Sequence, residues 1–217
     1  MKLTQRYPIA IDMSCPDEMS AVQLATQGGR PRIHAMIQQA ATTGSDMPTE
    51  ADRMGFIQEV MHERGFKGKH VALLPPLDML VCYPLRVELG KQETLEEGIV
   101  REATTTLGFP LEEAILDYAS VLPDPGGQRN ITEVLIIAAR SDDVNRCTRQ
   151  VQGAGGSLEI LESAATALVR VHMAATAQQP QGPALLCNVG RRRSEIVVVH
   201  GNGIVAHRNV NWGTNRL

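Results

Sequence analysis

Two short loops in this chain carry residue types that phosphate chemistry uses. The first, Asp12-Met13-Ser14-Cys15-Pro16-Asp17-Glu18, leaves the apolar run Ile9-Ala10-Ile11 and enters a second apolar run at Met19. The second, Asn188-Val189-Gly190-Arg191-Arg192-Arg193-Ser194, joins two later apolar runs. Phosphates are held by backbone N–H groups that approach closely, so such loops favour glycine and small hydroxyl residues and avoid fixed negative charge. Ser14 and Gly190 fit that preference, whereas Asp12 does not. Pro16 removes a donor, and Asp17 and Glu18 put carboxylates where phosphate oxygens would go. An uncompensated carboxylate at about 4 Å repels a phosphate charge by roughly 1 to 4 kcal/mol, a decade or more in affinity. Asn188 can hydrogen-bond a metal-bound water but cannot supply the carboxylate that orients Mg²⁺ or an attacking water. The three arginines read either as a solvated turn or as an anion clamp facing Asp17 and Glu18 or a bound phosphate.

Other reactive residues form weaker constellations. His62-Glu63 lacks a second histidine at zincin spacing. His200, His207 and Cys187 could converge at strand ends, although scattered His and Cys on strands are more often structural, and no metal site is expected. Gly153-Ala154-Gly155-Gly156 follows a helical pattern, so it reads as a helix stop rather than a phosphate cradle. Asp117 and Glu113 have no partner base nearby in sequence. No catalytic residue is expected.

The elements that must position these residues follow from apolar periodicity and turn chemistry. Tyr7–Met13 and Met19–Ala25 are expected to pair as strands across the first loop, with Arg32–Gln38 as a third strand after Gly28-Gly29-Arg30-Pro31. Beyond a polar loop over Ala41–Pro48, Thr49 and Asp52 head a helix that stops at Gly65. His70–Leu74 is a fourth strand, closed by Pro75-Pro76. Met79–Tyr83 and Leu85–Leu89 read as two short extended runs. A helix capped by Thr94 ends at Gly108, Ala114–Val121 is extended, and Pro123–Asn130 is a loop. Thr132–Ala139 is a strand, and a helix from Ser141 ends at Gly153–Gly156. Leu158–Leu161 reads as extended, Ser163–Gln178 as helical and Gln179–Pro183 as a linker. Strands Ala184–Val189, Glu195–His200 and Ile204–Val210 follow, the last two joined by Gly201-Asn202-Gly203. This closing three-stranded unit repeats the architecture of residues 7–38, as a duplicated nucleotide fold predicts.

Composition narrows the classes. With 217 residues, 43% hydrophobic and 21% charged, the chain can bury a sizeable core. A net charge of −3 and an aromatic share of 3% argue against nucleic acid as a partner. Cys15, Cys82, Cys147 and Cys187 lie far apart, which fits reduced thiols. No run approaches the roughly 20 apolar residues of a membrane span.

The runs Ile9-Ala10-Ile11-Asp12, Ala21-Val22-Gln23-Leu24, Glu97–Ala103, Glu133–Ala139 and Leu161–Leu168, and above all Gly108-Phe109-Pro110-Leu111-Glu112-Glu113-Ala114-Ile115-Leu116-Asp117-Tyr118, resemble the type IV pilus assembly protein PilM family. That family is related to the cell-division protein FtsA and to actin. The resemblance implies an α/β, actin-like (ribonuclease H-like) nucleotide fold with an α+β insert and an incomplete second half. On this basis residues 1–76 and 157–183 are expected to form a 1A-like subdomain, 77–156 a 1C-like insert and 184–217 the start of a 2A-like subdomain. Residues Trp212–Leu217 look like the opening of the family's next glycine-rich turn, so C-terminal truncation is expected.

Functionally, the resemblance implies a cytoplasmic scaffold of a type IV pilus or type II secretion-related platform, peripheral to the inner membrane through a partner. That partner would be a PilN-like inner-membrane protein, its tail held in a groove bordered by residues 77–90 and the helix from Thr94. A homo-oligomer is a further implication, and direct membrane insertion is not expected. The family's ligand would be ATP with Mg²⁺. Its first loop resembles "DIGSSSVK" and its second "DIG", and the resemblance makes Asp12, Ser14 and Cys15, with Asn188, Gly190 and Arg191, the candidate cofactor-binding residues. This chain is one residue longer in the first loop and has Ser14 in place of the glycine, so no cofactor is expected. The alternatives are an actin-like ATP-binding protein or ATPase and an FtsA-like cell-division protein.

Overall fold

The computed structural model describes residues 6–15, 17–40, 48–62, 65–123, 131–176, 182–201 and 203–216. The loops expected over 41–48, 123–130 and 179–183 fall largely outside them, as do Pro16 and Asn202. The chain divides into two compact units, Met1–Leu77 with Val144–Glu162 and Asp78–Asp143 with Ser163–Leu217.

In the first unit, β1 (Arg6–Asp12), β2 (Glu18–Gln27) and β3 (Arg30–Ala40) form an antiparallel meander. Its second turn uses Gly28 and Gly29 at φ 60° and 80°, a region glycine enters without strain. β4 (His70–Leu74) and β8 (Ser157–Leu161) add in parallel, giving the order β3-β2-β1-β4-β8. Alternation sets the faces: Ile9 and Ile11, Met19 and Ala21, Val71 and Leu73 are buried, while the residues between them are half-covered. Helix α1 (Glu50–His62) buries Phe56, Ile57 and Val60 and packs on β2. Its cap is reciprocal: Asp52 N donates to Thr49 Oγ1 at 3.2 Å, and Thr49 N donates to Asp52 Oδ2 at 2.8 Å. Helix α3 (Ser141–Gly153) buries Cys147 and Val151, and its Gln150 Nε2 donates to Glu50 Oε1 at 3.0 Å. Gly155, at φ 82°, turns the chain out of α3, as the helix-stop reading expected. Gln23, 1% exposed, bridges to the backbone of Tyr7 and Lys67 through three hydrogen bonds.

In the second unit, the antiparallel sheet β5-β7-β6 comprises β5 (Val81–Glu88), β7 (Ile131–Arg140) and β6 (Ala114–Pro123). The two runs expected at 79–83 and 85–89 are thus one strand, with Pro84 inside it. An edge strand tolerates proline because one side of its backbone needs no partner. Central β7 is covered on both faces, which explains its unbroken apolar run: Val134, Ile136 and Ala138 pack toward helix α2 (Leu95–Thr106), and Leu135 joins a core formed with helix α4 (Ala164–Ala175). Gly98 lets α2 settle closely, since a Cβ there would lie 2.6 Å from Val87 Cγ1. The signature run 108–118 fastens α2 to the sheet. Phe109 and Leu111 pack into its core, Tyr118 Oη donates to Glu96 at 2.8 Å, and Arg140 both pairs with Glu113 and lies 4.6 Å from the Phe109 ring centroid.

Also in this unit, β9 (Ala184–Val189), β10 (Ser194–His200) and β11 (Gly203–Val210) form a second meander, ordered β11-β10-β9. One of its faces packs Val197, Val199 and Ile204 against Ala165 and Val169 of α4. The β5-β7-β6 sheet and α2 lie in the second unit, and α3 from Val144 onward lies in the first.

Candidate functional site

In the first unit, Asp12 ends β1, and its Oδ1 accepts from Ser14 N at 2.8 Å and Ser14 Oγ at 2.6 Å. The loop thereby closes on itself as an Asx-type turn. Met13 N donates to Leu74 O at 2.8 Å. The half-buried Cys15 thiol is pushed up, first by burial. A hydrogen bond from the Asp17 backbone opposes this, and the charges of Asp17, Glu18 and Asp12 add to it. Three carboxylates thus act on one thiol, and two of the loop's N–H groups serve its own side chains.

In the second unit, Asn188 and Gly190 close β9 and Arg191 is exposed at the hairpin tip. Gly190 N donates to Arg193 O at 3.0 Å. The carbonyls of Gly190 and Arg191 accept from Thr214 N at 3.0 Å and Asn215 N at 2.9 Å, and Ser194 Oγ donates to Trp212 O at 2.8 Å. A turn at Trp212–Arg216 is therefore laid across the loop. Gly213 permits this contact, because a Cβ there would sit 2.4 Å from Gly190 O and Arg191 O.

The other candidates separate. His207 registers beside Val197 and Cys187 beside Ile196, so they face opposite sides of the sheet. Among the described residues no group of three or more His, Cys, Asp or Glu could hold a metal. His207 instead makes a buried pair. Its Nε2 lies 2.9 Å from Glu195 Oε1 and its Nδ1 3.4 Å from Cys82 O, with side chains 10% and 3% exposed for His207 and Glu195. Both partners are acceptors, so both hydrogen bonds need the doubly protonated imidazolium. Its pKa is raised accordingly, chiefly by the Glu195 hydrogen bond. Glu195 Oε2 is buried without a hydrogen-bond partner. Burial also lifts the Cys82 thiol to about 11, against a hydrogen bond from Ser163. Asp117 Oδ1 accepts from Tyr118 N at 2.8 Å.

A groove of about 220 Å³ also lies in the second unit, lined by Pro84, Leu85 and Arg86 of β5, Glu133 and Val134 of β7, and Ile204 and Val205 of β11. It runs between two edge strands, β5 and β11. Arg86 registers opposite Glu133, which places opposite charges at neighbouring positions of one wall. The groove expected from the sequence is bordered by residues 77–90 and the helix from Thr94, whereas this one is bordered by β5 and β11. Sequence reasoning could not have supplied β11, because only the fold brings 84–86 beside 204–205.

The family model described as "Type IV pilus assembly protein PilM" matches residues 11–217. No curated protein matches in sequence. Among solved structures, the PilM-PilN type IV pilus biogenesis complex aligns with a TM-score of 0.77 at 20% identity, over 96% of this chain and 62% of that one. The cytoplasmic domain of EpsL, an inner membrane component of the type II secretion system of Vibrio cholerae, aligns at 0.59 and 12% identity, over 95% of this chain and 71% of that one. A Bacteroides thetaiotaomicron protein with an actin-like ATPase fold aligns at 0.50 and 12% identity, over 97% and 72%. At these identities the likeness shows the fold, which is actin-like. The chain spans 62% of the length of the first of these proteins.

Proposed function

Because the chain belongs to the type IV pilus assembly protein PilM family, we propose that it is a non-catalytic scaffold that captures the extended cytoplasmic tail of an inner-membrane partner along the edge of β5. The observation that carries this reading is the groove beside β5. It lies between the edge strands β5 and β11, is bordered by Pro84, Leu85 and Val205, and has Arg86 and Glu133 in register at one side. Such a groove suits an extended peptide: backbone groups along the edge supply affinity and the apolar pockets supply selectivity. The solved complex whose name joins PilM and PilN supports a PilN-like tail as the occupant. The subdomain assignment given from the sequence belongs to this same proposal, as does a cytoplasmic location at the inner membrane held through the partner. No helix among the described residues is long and apolar enough to cross a membrane.

The nucleotide reading is the weaker one. In the first loop Ser14 N is turned to Asp12 and Asp17 N to Cys15, and in the second Gly190 N is turned to Arg193. Titrating the folded chain with a synthetic tail peptide from a PilN-like protein tests the scaffold reading. Saturable binding that weakens at least about tenfold in Arg86→Glu, roughly 1.4 kcal/mol, is expected, Arg86 being an exposed residue of the groove. A folded chain that ignores the peptide, or an Arg86→Glu variant that binds it unchanged, overturns the proposal. Micromolar binding of ATP with Mg²⁺ by calorimetry would restore the nucleotide reading.

A further inference from the structure

The net charge of −3 hides a sharply uneven distribution. Segments 184–194 and 203–216 contain Arg191, Arg192, Arg193, Arg208 and Arg216 and no acidic residue. The next acid, Glu195, is 3% exposed and engaged with His207. The fold gathers most of these cations at one end of the β9–β11 sheet. Hydrogen bonds from Thr214 N to Gly190 O and from Asn215 N to Arg191 O dock the turn that carries Trp212 and Arg216 onto the hairpin tip that carries Arg191–Arg193. Val189 and Val210 both register against Ser194 and so flank it on one face, and Arg208, opposite Ile196, shares that face. Val189, Val210 and Trp212 are all exposed large apolar residues, Trp212 at 41%.

We propose that this end of the sheet, with Arg191–Arg193, Arg216 and Trp212 at its centre, docks on an anionic lipid bilayer surface. Charge complementarity selects the occupant. Arginines interleaved with exposed valines and a tryptophan match a plane of anionic headgroups lying over an apolar interior, where tryptophan partitions to the boundary. A discrete phosphate would need N–H groups aimed at it, and Gly190 N is already given to Arg193 O. The proposal does not rest on tail binding. It supplies a second, weaker attachment, of the kind that stabilises peripheral proteins only in combination.

Trp212 is the chain's single tryptophan, so its emission reports on the patch directly. With vesicles of phosphatidylglycerol in phosphatidylcholine, the 217-residue chain is expected to co-float and its emission to shift to the blue; pure phosphatidylcholine vesicles produce neither. At about fivefold per arginine near such a surface, Arg191→Gln with Arg193→Gln lowers vesicle affinity about thirtyfold. Raised salt does the same to the unmodified chain. Gly213→Ala keeps every charge but forces the turn off Gly190 and Arg191, and is expected to weaken binding with an unchanged thermal midpoint for the core. A folded chain that ignores anionic vesicles, binds both vesicle types equally, or is unaffected by the double glutamine variant overturns the proposal. Release by inorganic phosphate or ATP at constant ionic strength overturns it in favour of a soluble anion. Displacement by polyglutamate under the same conditions does so in favour of an acidic protein.

Discussion

Replacing His207 with phenylalanine keeps a ring of similar volume but strips Glu195 of its partner. Glu195 is 3% exposed, its Oε1 accepts from His207 at 2.9 Å, and its Oε2 has no hydrogen-bond partner, so nothing else is placed to carry the charge. Breaking a buried ion pair from one side is expected to destabilise by about 3–5 kcal/mol, a large share of the roughly 5–15 kcal/mol that holds a typical domain. Replacing both groups, Glu195→Leu with His207→Phe, removes the stranded charge and is expected to recover most of that loss. The pair also sets a pH dependence. His207 has its folded-state pKa raised above 6.5, so its stabilisation is complete below about 6.5, the unfolded value, and is lost as pH rises through the folded value. Each unit of elevation is worth about 1.4 kcal/mol. Urea unfolding at a series of pH values from below 6.5 upward reads this as a falling midpoint at constant slope, and Glu195→Gln is expected to flatten the curve. Unmodified protein whose midpoint stays level or climbs across that window, or a His207→Phe variant of unchanged stability, would refute the assignment of His207 as an imidazolium.

Gln23→Leu leaves the Tyr7 carbonyl and both Lys67 backbone groups without their bridge and is expected to cost about 2–3 kcal/mol in urea unfolding; a loss well below about 1 kcal/mol would mean that water replaces the amide. Thr94→Ala removes the α2 capping box and is expected to cost about 1 kcal/mol, with Thr94→Ser restoring most of it; equal loss in both variants would show that the methyl group rather than the hydroxyl matters. In the native protein, iodoacetamide is expected to modify exposed Cys187 well before buried Cys82, its thiol held up at about 11; mass mapping that finds Cys82 labelled as early as Cys187 would contradict its burial.

Much of the fold was legible because it depends on local chemistry. The β1–β2 hairpin, the caps at Thr49 and Thr94, the helix stop after Gly153 and the final meander all follow from periodicity and turn residues close together in sequence. The signature run 108–118 pointed to the family, and in the structure Phe109, Glu113 and Tyr118 each hold α2 or Arg140 against the sheet. What was not legible depends on distant partners. Pro84 looked like a break until β7 and the free edge of β5 made it tolerable. The carboxylates of the first loop were visible as charges, but not the way Asp12 and Cys15 draw the loop's N–H groups inward. His207 was noticed only as a scattered histidine, because its partner and the Cys82 carbonyl lie 12 and 125 residues away.

The alternation of the chain between its two units has a kinetic consequence. Parallel pairing of β4 with β8 brings His70 opposite Ser157 and so closes a loop that contains α2 and the whole β5-β7-β6 sheet. Closing such a loop from an open coil loses entropy that grows with its length, and loses less once its contents have condensed. The contents are a β6–β7 hairpin and a capped helix, which are local, and a β5–β7 pairing such as Val81 with Ala138, which is still shorter in range than His70 with Ser157. Assembly is therefore ordered from the inside outward. A substitution that slows the inner sheet delays the edge strand β8 as well, although neither partner in that last pairing has been altered.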